Sequence, residues 1–208
     1  MKHRRVASAL LTTALAIGAA AVSASAAEQP RPQASPAEAR SEAVAQDTAN
    51  DVDVEFVEMM IPHHYQALVM SRMAPDRSSD QSLLSLANRI DVEQGLEISM
   101  MQNWQRWHDL EVTDAEAAYQ QVLQNPEMLE AMGMATPEEL DQLSASSGTA
   151  FDVLYLQLMI EHHEGAITML VDVISNGNDV TLEQWATDML TTQHTQVQQM
   201  EAMLADKT

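Results

Sequence analysis

From Asn50 onward, apolar residues return every three or four positions, and two stretches sustain that period long enough to form helices. One runs from near Asp51 to a stop at Ala74-Pro75, and the other from near Ala150 to a stop at Asn176-Gly177. Matching cap signals open them, Asn50-x-x-Asp53 and Thr149-x-x-Asp152. After a short turn each is followed by a second amphipathic stretch, roughly Ser79 to His108 and Thr181 to Ala205, the latter with Thr181-x-x-Gln184 as a capping box. The seam Ala87, Ile90, Gln94, Ile98, Met101 recurs there as Ala186, Met189, Gln193, Val197, Met200. Neither hairpin can bury its stripe alone. The pattern therefore predicts an all-α chain in which a duplicated helical hairpin packs as a four-helix bundle with approximate two-fold symmetry.

The rest of the chain reads differently. Residues 1–27 carry a basic start (Lys2, Arg4, Arg5), an apolar run and a small-residue Ala24-Ser25-Ala26 site, the pattern of a secretory signal peptide. Residues 28–49, with Pro30, Pro32 and Pro36, have no apolar period and are expected to be a disordered linker. The bundle domain then spans 50–208, with repeat units at about 50–108 and 149–207. Between the units, Asp114 to Leu123 and Pro137 to Ser144 read as short helices, the latter capped by Thr136. Met128, Met132 and Met134 surround Gly133 in this segment, which is either a crossover covering one bundle face or a mobile loop.

The two units align without a gap. Asp53 matches Asp152, Phe56 matches Tyr155, Ala67 matches Ala166, and Met60-x-x-His63-His64 matches Met159-x-x-His162-His163. On a helical wheel His64 and His163 face the bundle axis with Met60 and Met159 one turn behind, where Gln94 or Gln193 could hydrogen-bond to them. His63 and His162 turn about 100° toward the flank. Met59 and Met70 share the strip of His63, and Met169 shares that of His162, where Leu158 replaces a second Met. His194 stands where the first unit has Gly95 and is a further candidate ligand. His108 reads as a partner of a helix C-terminus.

Composition sharpens the chemistry. The chain has no cysteine, so in an oxidising compartment soft sulfur must come from its 15 methionines, all but Met1 lying after Asp51. Net charge is −21, and losing the signal deepens it to −24, which argues against nucleic acid and anionic membranes. No phosphate loop, nucleophile elbow or metalloprotease motif is present, which favours binding over catalysis. A di-iron bundle needs inward Glu and Glu-x-x-His, and no Glu-x-x-His ends on either His-His pair; Glu93 and Glu97 become Thr192 and Gln196 in the second unit. Imidazole with thioether points to Cu(I), with Ag(I) as its mimic, while Cu(II) or Zn remain open.

The strings from Met59 to Ala67 and from Leu158 to Met169 resemble domain-of-unknown-function family 305 (DUF305), as do Gln94-x-x-Glu97-Ile98-x-x-Met101-x-x-Trp104 and Met132-Gly133-Met134-x-Thr136-Pro137. The resemblance implies a ferritin-like bundle and, from its copper-binding exported members, a copper-handling role. The expectation is thus a secreted, periplasmic or cell-envelope protein without a membrane span after signal cleavage. It would sequester or transfer copper through His63, His64, His162 and His163 with Met59, Met60, Met70, Met159 and Met169, exchanging it with a copper transporter or acceptor protein. The alternatives are a metal-free interaction or stress module with core His and Met, and a metalloenzyme of oxidase type.

Overall fold

The structure, a computed structural model, describes residues 48–207; the signal segment and the linker up to residue 47 lie outside the described residues. Eight helices run through them: α1 (Asp51–Ser71), α2 (Ala74–Arg77), α3 (Gln81–Trp107), α4 (Ala115–Val122), α5 (Pro126–Ala131), α6 (Pro137–Ala145), α7 (Thr149–Asn176) and α8 (Val180–Ala205). α1 packs along α3 and α7 along α8 as two antiparallel hairpins, and the hairpins meet through α1 and α7. The described residues are all-α.

Local chemistry explains most boundaries. Asn50 and Asp53 form the expected capping box of α1, with Asn50 Oδ1 accepting from the Asp53 amide at 3.0 Å and Asp53 Oδ2 from the Asn50 amide at 2.8 Å. Two other caps differ from the sequence reading. α7 starts from Gly148, in the left-handed region at φ 61°, and Thr149 makes no cap because it is already the first helical residue. α8 is capped by Asp179, whose carboxylate accepts from the Leu182 amide at 2.7 Å; an ionised acceptor two residues upstream displaces the Thr181 box. Pro75, expected as a stop, instead sits in the first turn of the one-turn helix α2.

The hairpins are tied at their ends by reciprocal contacts. His108, after α3, meets the α8 cap Asp179 at 3.1 Å, and Lys207, after α8, meets the α3 cap Asp80 at 2.6 Å. His108 and Lys207 are equivalent positions of the repeat, as are Asp179 and Asp80. Asp53 Oδ2 also accepts from the amides of Asn178 and Asp179, while its equivalent Asp152 pairs with Lys207 at 3.1 Å. Hydrogen bonding to Asp80 holds the Lys207 ammonium above its ordinary pKa, and the same contact holds the Asp80 carboxyl below its own.

The segment between the units is a crossover, not a free loop. α4 lies along α1, and the added helix α5, opened by Asn125 and Pro126, carries the chain to Met132 and Met134, both buried. Gln66 of α1 anchors it, donating to the Ala135 carbonyl at 2.8 Å and accepting from the Ala135 amide at 2.7 Å. At the equivalent position of α7, Gly165 lets the Met132 carbonyl approach so closely that a Cβ would overlap it.

Candidate metal centre

His63 and His162 meet where α1 crosses α7, their ring centroids 3.7 Å apart and planes 31° from parallel. His64 and His163 lie one residue on, 6.1 and 6.0 Å from their neighbours. All four rings are fully buried, so the expected division into axial and flanking pairs does not describe the molecule. Packing explains the difference. With α3, α7 and the crossover around it, α1 buries 13 of its 21 residues and has no free flank on which His63 could sit.

Every ring faces a hydrogen-bond acceptor through Nε2. His63 reaches the Met132 carbonyl at 3.1 Å, His162 the His63 carbonyl at 2.8 Å, and His64 the Glu97 carboxylate at 2.8 Å. His163 reaches Gln196 Oε1 at 2.7 Å; Gln196 Nε2 donates to Glu93 Oε2 at 2.7 Å, which fixes the amide's orientation. The partners are therefore Glu97 and Gln196, one turn beyond the expected Gln94 and Gln193. A carbonyl or carboxylate cannot donate, so each Nε2 carries a proton, and in a neutral ring that leaves the lone pair on Nδ1. None of the four Nδ1 atoms has a hydrogen-bond partner among the described residues, and the same is true of both side-chain polar atoms of Gln94 and of Gln193 Oε1.

Burial keeps His63, His162 and His163 neutral. It lowers the pKa of His63 well below the ordinary value, aided by repulsion from His64 and opposed by the Met132 carbonyl. His162 is lowered likewise by burial and by repulsion from His63 and His163. His163 is lowered by burial to about 4 despite its hydrogen bond to Gln196. A neutral imidazole whose other nitrogen donates to a carboxylate, carbonyl or amide is the form that ligates metals. Among the described residues, however, no three His, Asp or Glu side chains are grouped so as to hold an ion.

The methionines divide into two sets. Met60, Met70 and Met159 are fully buried in apolar clusters. Met59 and Met169 are half-buried and line an open cleft of about 270 Å³ with Met128 and Met132 of the crossover. His194 is exposed on α8 and is not gathered with the other histidines. Gly165 and the Met132 carbonyl were not read as site components. A glycine inside a long helix, where it costs about 1 kcal/mol relative to alanine, was the signal available.

The family model described as "Domain of unknown function (DUF305)" matches residues 53–204, and the chain belongs to that family. Among solved structures, a DUF305 fragment from Deinococcus radiodurans is similar at 27% identity and TM-score 0.67, over 76% of this chain and 98% of that one. A candidate secreted DUF305 protein from Streptomyces coelicolor is similar at 28% identity and TM-score 0.65, over 75% and 92%. CopM in its Cu(I)-bound form is similar at 26% identity and TM-score 0.59, over 74% and 96%, and CopM structures with Cu(II), with Ag and in the apo form are also similar. The search among curated proteins gave no match.

Proposed function

We propose that this chain is an exported copper-binding protein that holds Cu(I), or Ag(I) in its place, through His63, His64, His162 and His163 with sulfur from neighbouring methionines. The observation that carries the reading is the set of four buried imidazoles, each with Nε2–H held by an acceptor and Nδ1 unpartnered. Lone pairs without a donor are costly in a core unless something accepts them, and a soft cation does. Similarity to CopM, bound to Cu(I), Cu(II) and Ag, supports the same chemistry. The reading takes the two hairpins as a duplicated, ferritin-like four-helix bundle and the activity as binding and transfer, not turnover.

Titrating the protein with Cu(I) against a competing chelator tests it. The wild type should bind and a variant with all four histidines changed to alanine should not; equal binding by both would sink the proposal. Under the competing reading, a metal-free module with core histidines, His64→Ala and His163→Ala lower thermal stability and copper shifts neither form. Because burial already holds His63, His162 and His163 neutral, copper binding should persist at pH 5.5 and not weaken as pH falls through 6.5.

Glu97 and Gln196 make the two copies unequal, since only His64 donates directly to a carboxylate. Glu97→Gln gives the first copy the second copy's partner, and copper affinity should fall by about 10–100-fold, as for other residues that orient a ligand. Isothermal titration of this variant, with Gln196→Glu as the reverse change, measures the difference.

A further inference from the structure

We infer that the cleft lined by Met59, Met128, Met132 and Met169 is a thioether site for a soft monovalent cation, separate from the histidine cluster and built half by the crossover. Three elements bring these residues to one cavity of about 270 Å³: Met59 comes from α1, Met169 from α7, and Met128 and Met132 from α5 and its cap. Met60, Met70, Met101, Met159 and Met200 are wholly buried, as methionines that only fill a core should be. Met59, Met128 and Met169 are half-buried at an open surface instead.

Room for movement supports the assignment. Met59 and Met128 also line an adjoining cavity of about 170 Å³ beside Pro62, so their flexible side chains have space on two sides. The other walls of the larger cleft are Val52 and Phe56, with the exposed carboxylates of Glu55 and Asp172 beside them. Those carboxylates and the negative chain attract a cation, while sulfur, the soft donor at hand, selects Cu(I) or Ag(I) over Ca²⁺ or Mg²⁺. Thioethers carry no proton, so this site does not depend on the state of any imidazole. The Met132 carbonyl is the acceptor for His63 Nε2–H, which joins the cleft to the histidines through a single residue.

Silver nitrate added to the full chain, with methionine methyl groups and imidazole nitrogens isotope-labelled for NMR, tests the inference. The methyl signals of Met59, Met128, Met132 and Met169 should shift together, while those of Met101 and Met200 stay in place. Met128→Leu/Met132→Leu keeps side-chain volume. It should abolish the response of Met59 and Met169 and remove a single equivalent of silver by native mass spectrometry. If that variant does not fold, Met128→Leu at the half-buried position serves alone and should lose the same equivalent. The response should survive in His63→Gln/His162→Gln. Silent Met128 and Met132 methyls at saturating silver, an unchanged Met59 response in the leucine variant, or loss of the response with the histidines would each overturn it. The imidazole signals report the histidine site separately, so either reading can fail while the other stands.

Discussion

Gly165→Ala should lower the melting temperature by roughly 2–12 °C, the equivalent of about 1–3 kcal/mol of overpacking in a domain of this size. In an exposed helix the same change usually adds stability, because glycine is the poorer helix former. Here the new methyl group would overlap the Met132 carbonyl, a backbone atom that can retreat only if the whole crossover moves. That movement also takes from His63 Nε2–H its acceptor, so copper affinity should fall together with stability. Gly95 supplies the control. A Cβ there would meet nothing closer than Leu68 Cδ2 at 3.9 Å, so Gly95→Ala should stabilise the protein by about 0.5–1 kcal/mol. Calorimetry of the two variants separates the effects, and a stabilised Gly165→Ala would mean that the crossover does not press on α7.

Acid should destabilise the metal-free protein between about pH 6.5 and pH 4. His163 has a folded pKa of about 4 against 6.5 for the free side chain, so in this window the unfolded chain binds the proton that the native state refuses. The sign is that of a depressed folded pKa: full stability lies above 6.5 and is lost as pH falls through the interval. At 1.36 kcal/mol per unit, His163 alone accounts for roughly 3 kcal/mol. His63 and His162 are lowered for the same reason and add to the loss. Native stabilities run to about 5–15 kcal/mol, so the effect is large enough to unfold a marginal domain. Guanidinium unfolding at several pH values measures it. A midpoint independent of pH from 7 to 4, or a His163→Gln variant as acid-sensitive as the wild type, would contradict the burial argument.

The hairpins were legible because a helical period of apolar residues and a gap-free repeat are properties of side chains along the sequence. Asn50 with Asp53, and Thr136 before Pro137, announced their helix starts for the same reason. The caps that failed did so through competition. Thr181 and Thr149 are sound N-cap residues in isolation, but Asp179 offers a charged acceptor two positions earlier, and Gly148 turns the chain into the helix first. The four histidines lie together, but a wheel turns His63 and His162 to a flank because it assumes one buried face, and α1 is enclosed on several. The crossover was the least legible part. Its attachment uses the backbone of Met132 and Ala135, the Gln66 amide and the absence of a side chain at Gly165, and no pattern of apolar and polar letters records a carbonyl.

The paired ties between the hairpins have the form of a two-fold dimer interface held within one chain. His108 meets Asp179 as Lys207 meets Asp80, each contact the image of the other under the repeat. In such an interface only residues on the axis touch their own equivalents, and here those residues are His63 and His162. Drawing the hairpins apart therefore parts these two rings from each other, and it also takes from His162 Nε2–H its acceptor, the His63 carbonyl on the opposite hairpin.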